Sequence, residues 1–156
     1  MRYVGPMLLA AMMLSGCAGS QPGARPGTAT KYRPSYIFGG YSEKQIEPGI
    51  WLVKARSNGI AESGFGRNMA AYRAAELLKA QGFSHMQILK QYGKQSFFGV
   101  RGAAATHSAG EFLNLTVRGA HSPSPPADCR DKRPSSCATV AIDPLMARLK
   151  PSLHIQ

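Results

Sequence analysis

From Ile50 to Arg56 apolar and polar residues alternate, with Trp51, Val53 and Ala55 on one side and Lys54 and Arg56 on the other. A two-residue period of this kind predicts a half-buried strand. Leu52 is the one apolar residue it leaves on the outer face, and Asn58-Gly59 then supplies a turn pair. The period changes from Arg67 to Gln81, where Ala70, Ala71, Ala74, Ala75, Leu77 and Leu78 make an apolar stripe opposite Tyr72, Arg73, Glu76 and Lys79. A helix is expected there, its alanines permitting close approach to a sheet. Lys79 suits the negative helix end, and Gly82 the left-handed stop beyond it.

Phe83 to Tyr92 reads as a second strand centred on Met86-Gln87-Ile88-Leu89. Gly93 to Gly110 is rich in Gly, Ala and Ser and predicts a mobile loop. Alternation returns from Glu111 to Arg118, with Leu113, Leu115 and Val117 facing in and Asn114, Thr116 and Arg118 facing out. Pro123 to Pro126 excludes regular structure, while Asp143-Pro144 is a suitable cap and first-turn pair for a short helix to Lys150, ended by Pro151. The order strand, helix, strand, strand, short helix predicts an α+β fold, a small sheet packed by one main helix. One small domain is expected over 39–156.

Composition adds a second region. The chain has 156 residues with 17 Gly and 11 Pro, above average usage, so part of it is loop or linker. From Ala18 to Ser35 it consists of Gly, Pro, Ala, Thr and Ser with scattered Lys and Arg. Such a composition buries too little apolar surface to offset its ordering entropy, so residues 17–38 are expected to form a flexible tether.

Before the tether, Arg2 precedes an uncharged, mostly apolar run from Val4 to Leu14. That run is shorter than the roughly 20 residues a membrane span requires. It reads as a signal peptide over residues 1–16. It ends in Leu14-Ser15-Gly16-Cys17, which resembles the bacterial lipobox. The resemblance implies lipidation of Cys17, which becomes the mature N-terminus; each buried CH2 of its acyl chains contributes ~0.8 kcal/mol of anchoring. Ala18 stands where an aspartate would retain such a protein in the inner membrane, so the implied location is the outer membrane, lipid-anchored on its periplasmic face.

Export also bears on Cys129 and Cys137, eight positions apart. In an oxidising compartment a disulfide is the expected state, and closing this short loop stabilises by about 2.5 kcal/mol in the chain-entropy model. Redox-active thiols are the alternative; metal ligation would want a CxxC-like spacing or a second ligand pair, and neither is present.

Gly39-Gly40-Tyr41-Ser42, Trp51 with Val53, Asn58-Gly59, Arg73-Ala74-Ala75-Glu76-Leu77 and Gly82-Phe83 follow one another as ordered landmarks. Together with the lipobox they resemble a family of small proteobacterial lipoproteins of unassigned activity, over about Gly39 to Leu89. The pattern departs at Gly64 to Asn68, where that family carries a more polar, charged run. The resemblance implies envelope localisation and a shared fold, and transfers no catalytic residue. The stretch from Trp51 to Phe83 also resembles the strand-helix-strand half of a sporulation-related repeat domain, which would imply peptidoglycan binding.

Catalytic constellations are sparse. Gly64-Phe65-Gly66-Arg67-Asn68-Met69 sits where a dinucleotide fingerprint would, but Met69 replaces the third glycine and no acidic residue follows at the ribose distance. His85, His107, His121 and His154 show no metal spacing, and Glu43, Glu47, Glu62, Glu76 and Glu111 suggest no acid/base pair. A non-enzymatic role without cofactor or metal is therefore expected, with a periplasmic thiol redox protein as an alternative. The physical handle that remains is charge: 19 Lys and Arg against 8 Asp and Glu, a net +11. Arg25, Lys31 and Arg33 lie in the tether, and Arg130, Lys132 and Arg133 cluster between the two cysteines. These three are the candidate contact for an anionic envelope polymer or lipid. Nucleic acid is disfavoured by the compartment.

Overall fold

The computed structural model describes residues 29–35, 37, 39–99 and 106–155. The expected signal segment 1–16, Cys17 and the tether as far as Thr28 lie outside the described residues. The elements are β1 (Gly40–Glu47), β2 (Ile50–Arg56), α1 (Phe65–Ala80), β3 (His85–Gly99), β4 (Thr106–Ala120), β5 (Ala138–Ala141) and α2 (Ile142–Leu149). They form one five-stranded sheet in the order β1-β2-β4-β3-β5, every neighbouring pair antiparallel. β2 and β3 run parallel with β4 between them, so β2-α1-β3 is a split βαβ unit. This is the expected α+β architecture.

The register explains which face is covered. Val53 stands opposite Leu115 and Ala55 opposite Leu113, so the inward alternations of β2 and β4 coincide. Against them α1 lays Met69, Ala70, Ala74, Ala75 and Leu78, all fully buried, and α2 adds Ile142, Leu145 and Leu149. The expected strand over 50–56, the inward residues of β4 and the left-handed Gly82 (φ 86°) are all present. Among the described residues no helix is long and apolar enough to cross a membrane.

Several expectations need correction. Gly93 to Gly110 is not a loop: β3 and β4 stay paired from Gly93 opposite Leu113 to Gly99 opposite Thr106, and residues 100–105 lie outside the described set. β2 ends at Arg56 opposite Phe112, so beyond it this hairpin is two-stranded and needs no apolar stripe. β1 was invisible because its residues are mostly exposed and polar, and β5 because it is a four-residue edge.

The described part of the expected 17–38 tether, residues 29–35, packs on the domain. Thr30 is buried and exchanges hydrogen bonds with Asn58, and the Tyr32 hydroxyl donates to Glu76 Oε2 at 2.7 Å. This segment covers the side of α1 read as exposed, which is why Tyr72 is buried, edge-on to the Tyr32 ring at 5.2 Å. Finally, Asp143 lies in the first turn of α2 behind the cap residue Ala141 and pairs with Lys79 at 2.6 Å. Pro151 opens a 3-10 turn that carries Leu153 into the core.

Candidate functional site

With α1 and α2 on one face, the outward residues of β2, β4 and β3 make the other. Pairing sets them in rows: Leu52, Thr116 and Lys90; then Lys54, Asn114 and Tyr92; then Arg56, Phe112 and Lys94. Lys44 of β1 adjoins Leu52 in the first row. Lys44, Lys54, Arg56, Lys90 and Lys94 are exposed. The half-buried Leu52 and the Tyr92–Phe112 pair, with ring centroids 5.6 Å apart, lie among them.

The segment after β4 returns alongside this face. Cys129 and Cys137 are joined by a disulfide, Cα to Cα 5.8 Å, as the compartment argument expected. The loop they close is docked on the free edge of β3, where the Arg130 amide donates to the Leu89 carbonyl at 2.7 Å. Between loop and sheet lies a cleft of about 810 Å³ whose walls include Leu52, Tyr92, Asn114, Thr116, Lys90, Lys132 and Arg133. A smaller cavity of about 310 Å³ beside it is lined by Arg67, Lys94, Glu111 and again Arg133.

The three basic loop residues do not share one role. The Arg130 guanidinium donates to both carboxylate oxygens of Glu47, at 2.6 and 2.8 Å, and to Asp128 at 3.0 Å. These partners hold the guanidinium even more firmly protonated than usual and hold the Glu47 carboxyl below its ordinary range. Arg130 is thus committed to fastening the loop across the sheet to β1, which corrects its expected place in the anionic contact. Lys132 and Arg133 are exposed and have no carboxylate within 4 Å among the described residues.

Asp131 is the one carboxylate lining the larger cleft. It accepts the backbone amides of Arg133 at 3.1 Å and Gln91 at 3.4 Å, and the first of these chiefly holds its carboxyl below the usual range. The other acidic residues are also engaged. Glu43 and Glu76 pair with Arg73, Glu111 accepts the Gly64 amide, Asp143 pairs with Lys79, and Glu62 faces His154 at 4.0 Å. Seven of the 8 Asp and Glu side chains thus make a hydrogen bond or ion pair inside the fold. The cations of the open face have no carboxylate within 4 Å among the described residues, and Lys90 and Arg133 feel Asp131 only at longer range.

Elsewhere the chemistry is structural. Arg73, Glu43, Glu76 and Tyr32 form one network, with Arg73 stacked over Tyr41 at 4.9 Å; burial, and then Glu76, raise the Tyr32 hydroxyl well above its usual range. His85 meets Ser84, His121 stacks on Phe83, and no three His, Cys, Asp or Glu side chains among the described residues converge as a metal site. At the glycine run before α1, the Glu111 carboxylate occupies the helix N-terminus, where a dinucleotide phosphate would have to displace it.

The sequence reading found Lys132 and Arg133 but missed Lys44, Lys90, Lys94 and Tyr92. The signal was there: Lys90, Tyr92 and Lys94 repeat at period two, as Lys54 and Arg56 do on β2. Comparison with protein-family models, with curated proteins and with solved structures finds no match for this chain.

Proposed function

We propose that this is a lipid-anchored cell-envelope protein, held at the outer membrane through acyl chains on Cys17, whose folded domain is a non-enzymatic binding module for an anionic envelope component. The lipobox and the resemblance to small proteobacterial lipoproteins support the anchor. The observation that carries the binding role is the division of charge: nearly all the carboxylates are engaged inside the fold, whereas among the described residues the cations of the open sheet face and of the bridged loop beyond Arg130 have no carboxylate within 4 Å. Unpaired like charges on one sheet face repel one another, and an anionic partner relieves that cost. The disulfide and the Glu47–Arg130 pair serve to hold the loop beside the face.

Intact mass of the membrane-extracted protein, with and without reduction, tests the anchor and the bridge together. The expected mass is that of residues 17–156 plus acyl chains, less two protons. A chain without lipid would overturn the envelope reading, and free thiols would favour the redox alternative. For the binding role, the extracted protein should co-sediment with anionic envelope fractions at low salt and be released as salt is raised.

A further inference from the structure

The open face holds more than charge. Tyr92 is 58% exposed at its centre, tilted against Phe112, and lines the same cleft as Leu52. A ring left in solvent between lysines does not serve the core, which lies on the other side of the sheet. Asn114, half-buried, adds an amide between the cations, whereas Thr116 in the next row is buried. Side chains on one face repeat every ~7 Å along a strand and ~5 Å between strands, so Lys90 and Lys94 are ~13 Å apart in this array. This spread matches charges distributed along a chain, one at a time, rather than one compact dianion.

We infer that this face, from the bridged loop across Tyr92 to Lys54 and Arg56, is a binding site for an acidic saccharide chain bearing carboxylates. The inference rests on the proposed role as an anionic-binding module and names its ligand class. Sugar rings present apolar C–H faces that lie on an aromatic ring such as Tyr92, and hydroxyls that pair with the Asn114 amide, while Lys90, Lys94, Lys132 and Arg133 take the carboxylates. Two features separate this ligand from phosphate monoesters and from a bilayer surface. Asp131 in the cleft wall repels a phosphate monoester, with its charge near −2, more than a single carboxylate, whereas a phosphodiester carries the same single charge and is separated by the oligothymidylate probe below. A bilayer surface, in turn, cannot enter the cleft between loop and sheet where Lys90 and Thr116 lie.

The test is calorimetric titration of the full chain, extracted in neutral detergent, with a galacturonic acid hexamer. The comparison probes are an N-acetylglucosamine hexamer, polyglutamate, oligothymidylate and anionic lipid vesicles. The acidic hexamer should bind most tightly at low salt, and salt should weaken it. Tyr92→Ala should weaken binding about tenfold while leaving its salt dependence unchanged. The double variant Lys90→Gln, Lys94→Gln should weaken binding and flatten that dependence. Unchanged thermal midpoints would show that both variants remain folded. If polyglutamate binds as well as the hexamer and Tyr92→Ala has no effect, the saccharide inference falls and the anionic-binding role stands. Tighter binding of oligothymidylate or of vesicles overturns the inference in favour of that ligand. Binding of none of the anionic probes overturns both.

Discussion

Glu111 and Gly64 are 47 positions apart in the chain, yet Glu111 Oε1 accepts the Gly64 amide hydrogen at 2.5 Å. α1 has no acidic residue in its first turn and no side-chain cap of its own, so a strand on the sheet supplies the negative charge that its N-terminus favours. Glu111 is buried, and its removal leaves an amide without a partner. Glu111→Ala should therefore lower stability by about 1–2 kcal/mol. Glu111→Gln, which keeps an acceptor, should lose about half as much. Urea unfolding of both variants measures the difference.

Gly66 lies in the same contact. A Cβ there would stand 3.0 Å from the Glu111 carbonyl oxygen and side chain and 3.2 Å from Ser57 Oγ. In an exposed helix Gly→Ala gains about 1 kcal/mol. Here Gly66→Ala should gain nothing and lower the thermal midpoint, because a paired strand backbone cannot give way. The glycine that suggested a dinucleotide turn is explained by helix-to-strand packing.

The disulfide bridge carries a separate expectation. Replacing Cys129 and Cys137 together by serine should cost about 2.5 kcal/mol, the closure entropy of the short loop. Equilibrium unfolding of this variant beside the oxidised and reduced wild-type protein checks it: reduced wild type and variant should coincide. A variant that loses binding in proportion to stability supports the loop's bracing role.

Glu47 and Arg130 tie the loop to the opposite edge of the sheet, and acid should untie it. In the folded protein the Glu47 carboxyl titrates below its ordinary 4.5, because Arg130 donates to it. As pH falls the unfolded chain takes up this proton first. The contribution is thus fully present above the ordinary carboxylate value and is lost as pH drops through the lower, folded one. Asp131, likewise held below its ordinary 3.8, adds to the same acid loosening. Hydrogen exchange at the Arg130 amide should be slow at neutral pH and, in acid, speed up relative to the paired amides of β3. Glu47→Gln should show the loosened loop already at neutral pH, and its stability deficit should shrink below about pH 4.

What the chain determines locally was legible from it. The alternation of β2, the inward Leu113, Leu115 and Val117, the body of α1 and the stop at Gly82 follow from periodicity and turn chemistry within a few residues. The bridge of Cys129 and Cys137 was expected from the export reading of the N-terminal segment. What depends on a distant partner was not. The outer half of the β3–β4 hairpin is held by ladder bonds between strands and has no apolar pattern to announce it. Tyr72 is buried because residues 29–35 fold back over α1, which an amphipathic stripe cannot foresee. Arg130 looked like a free cation until the fold brought Glu47 to it from 83 positions away. The candidate site has the same origin. Lys54, Lys90 and Lys94 come from strands far apart in sequence, and β4 sets them on one face by pairing with both neighbours at once. Local chemistry chose the elements; non-local pairing chose which side chains meet.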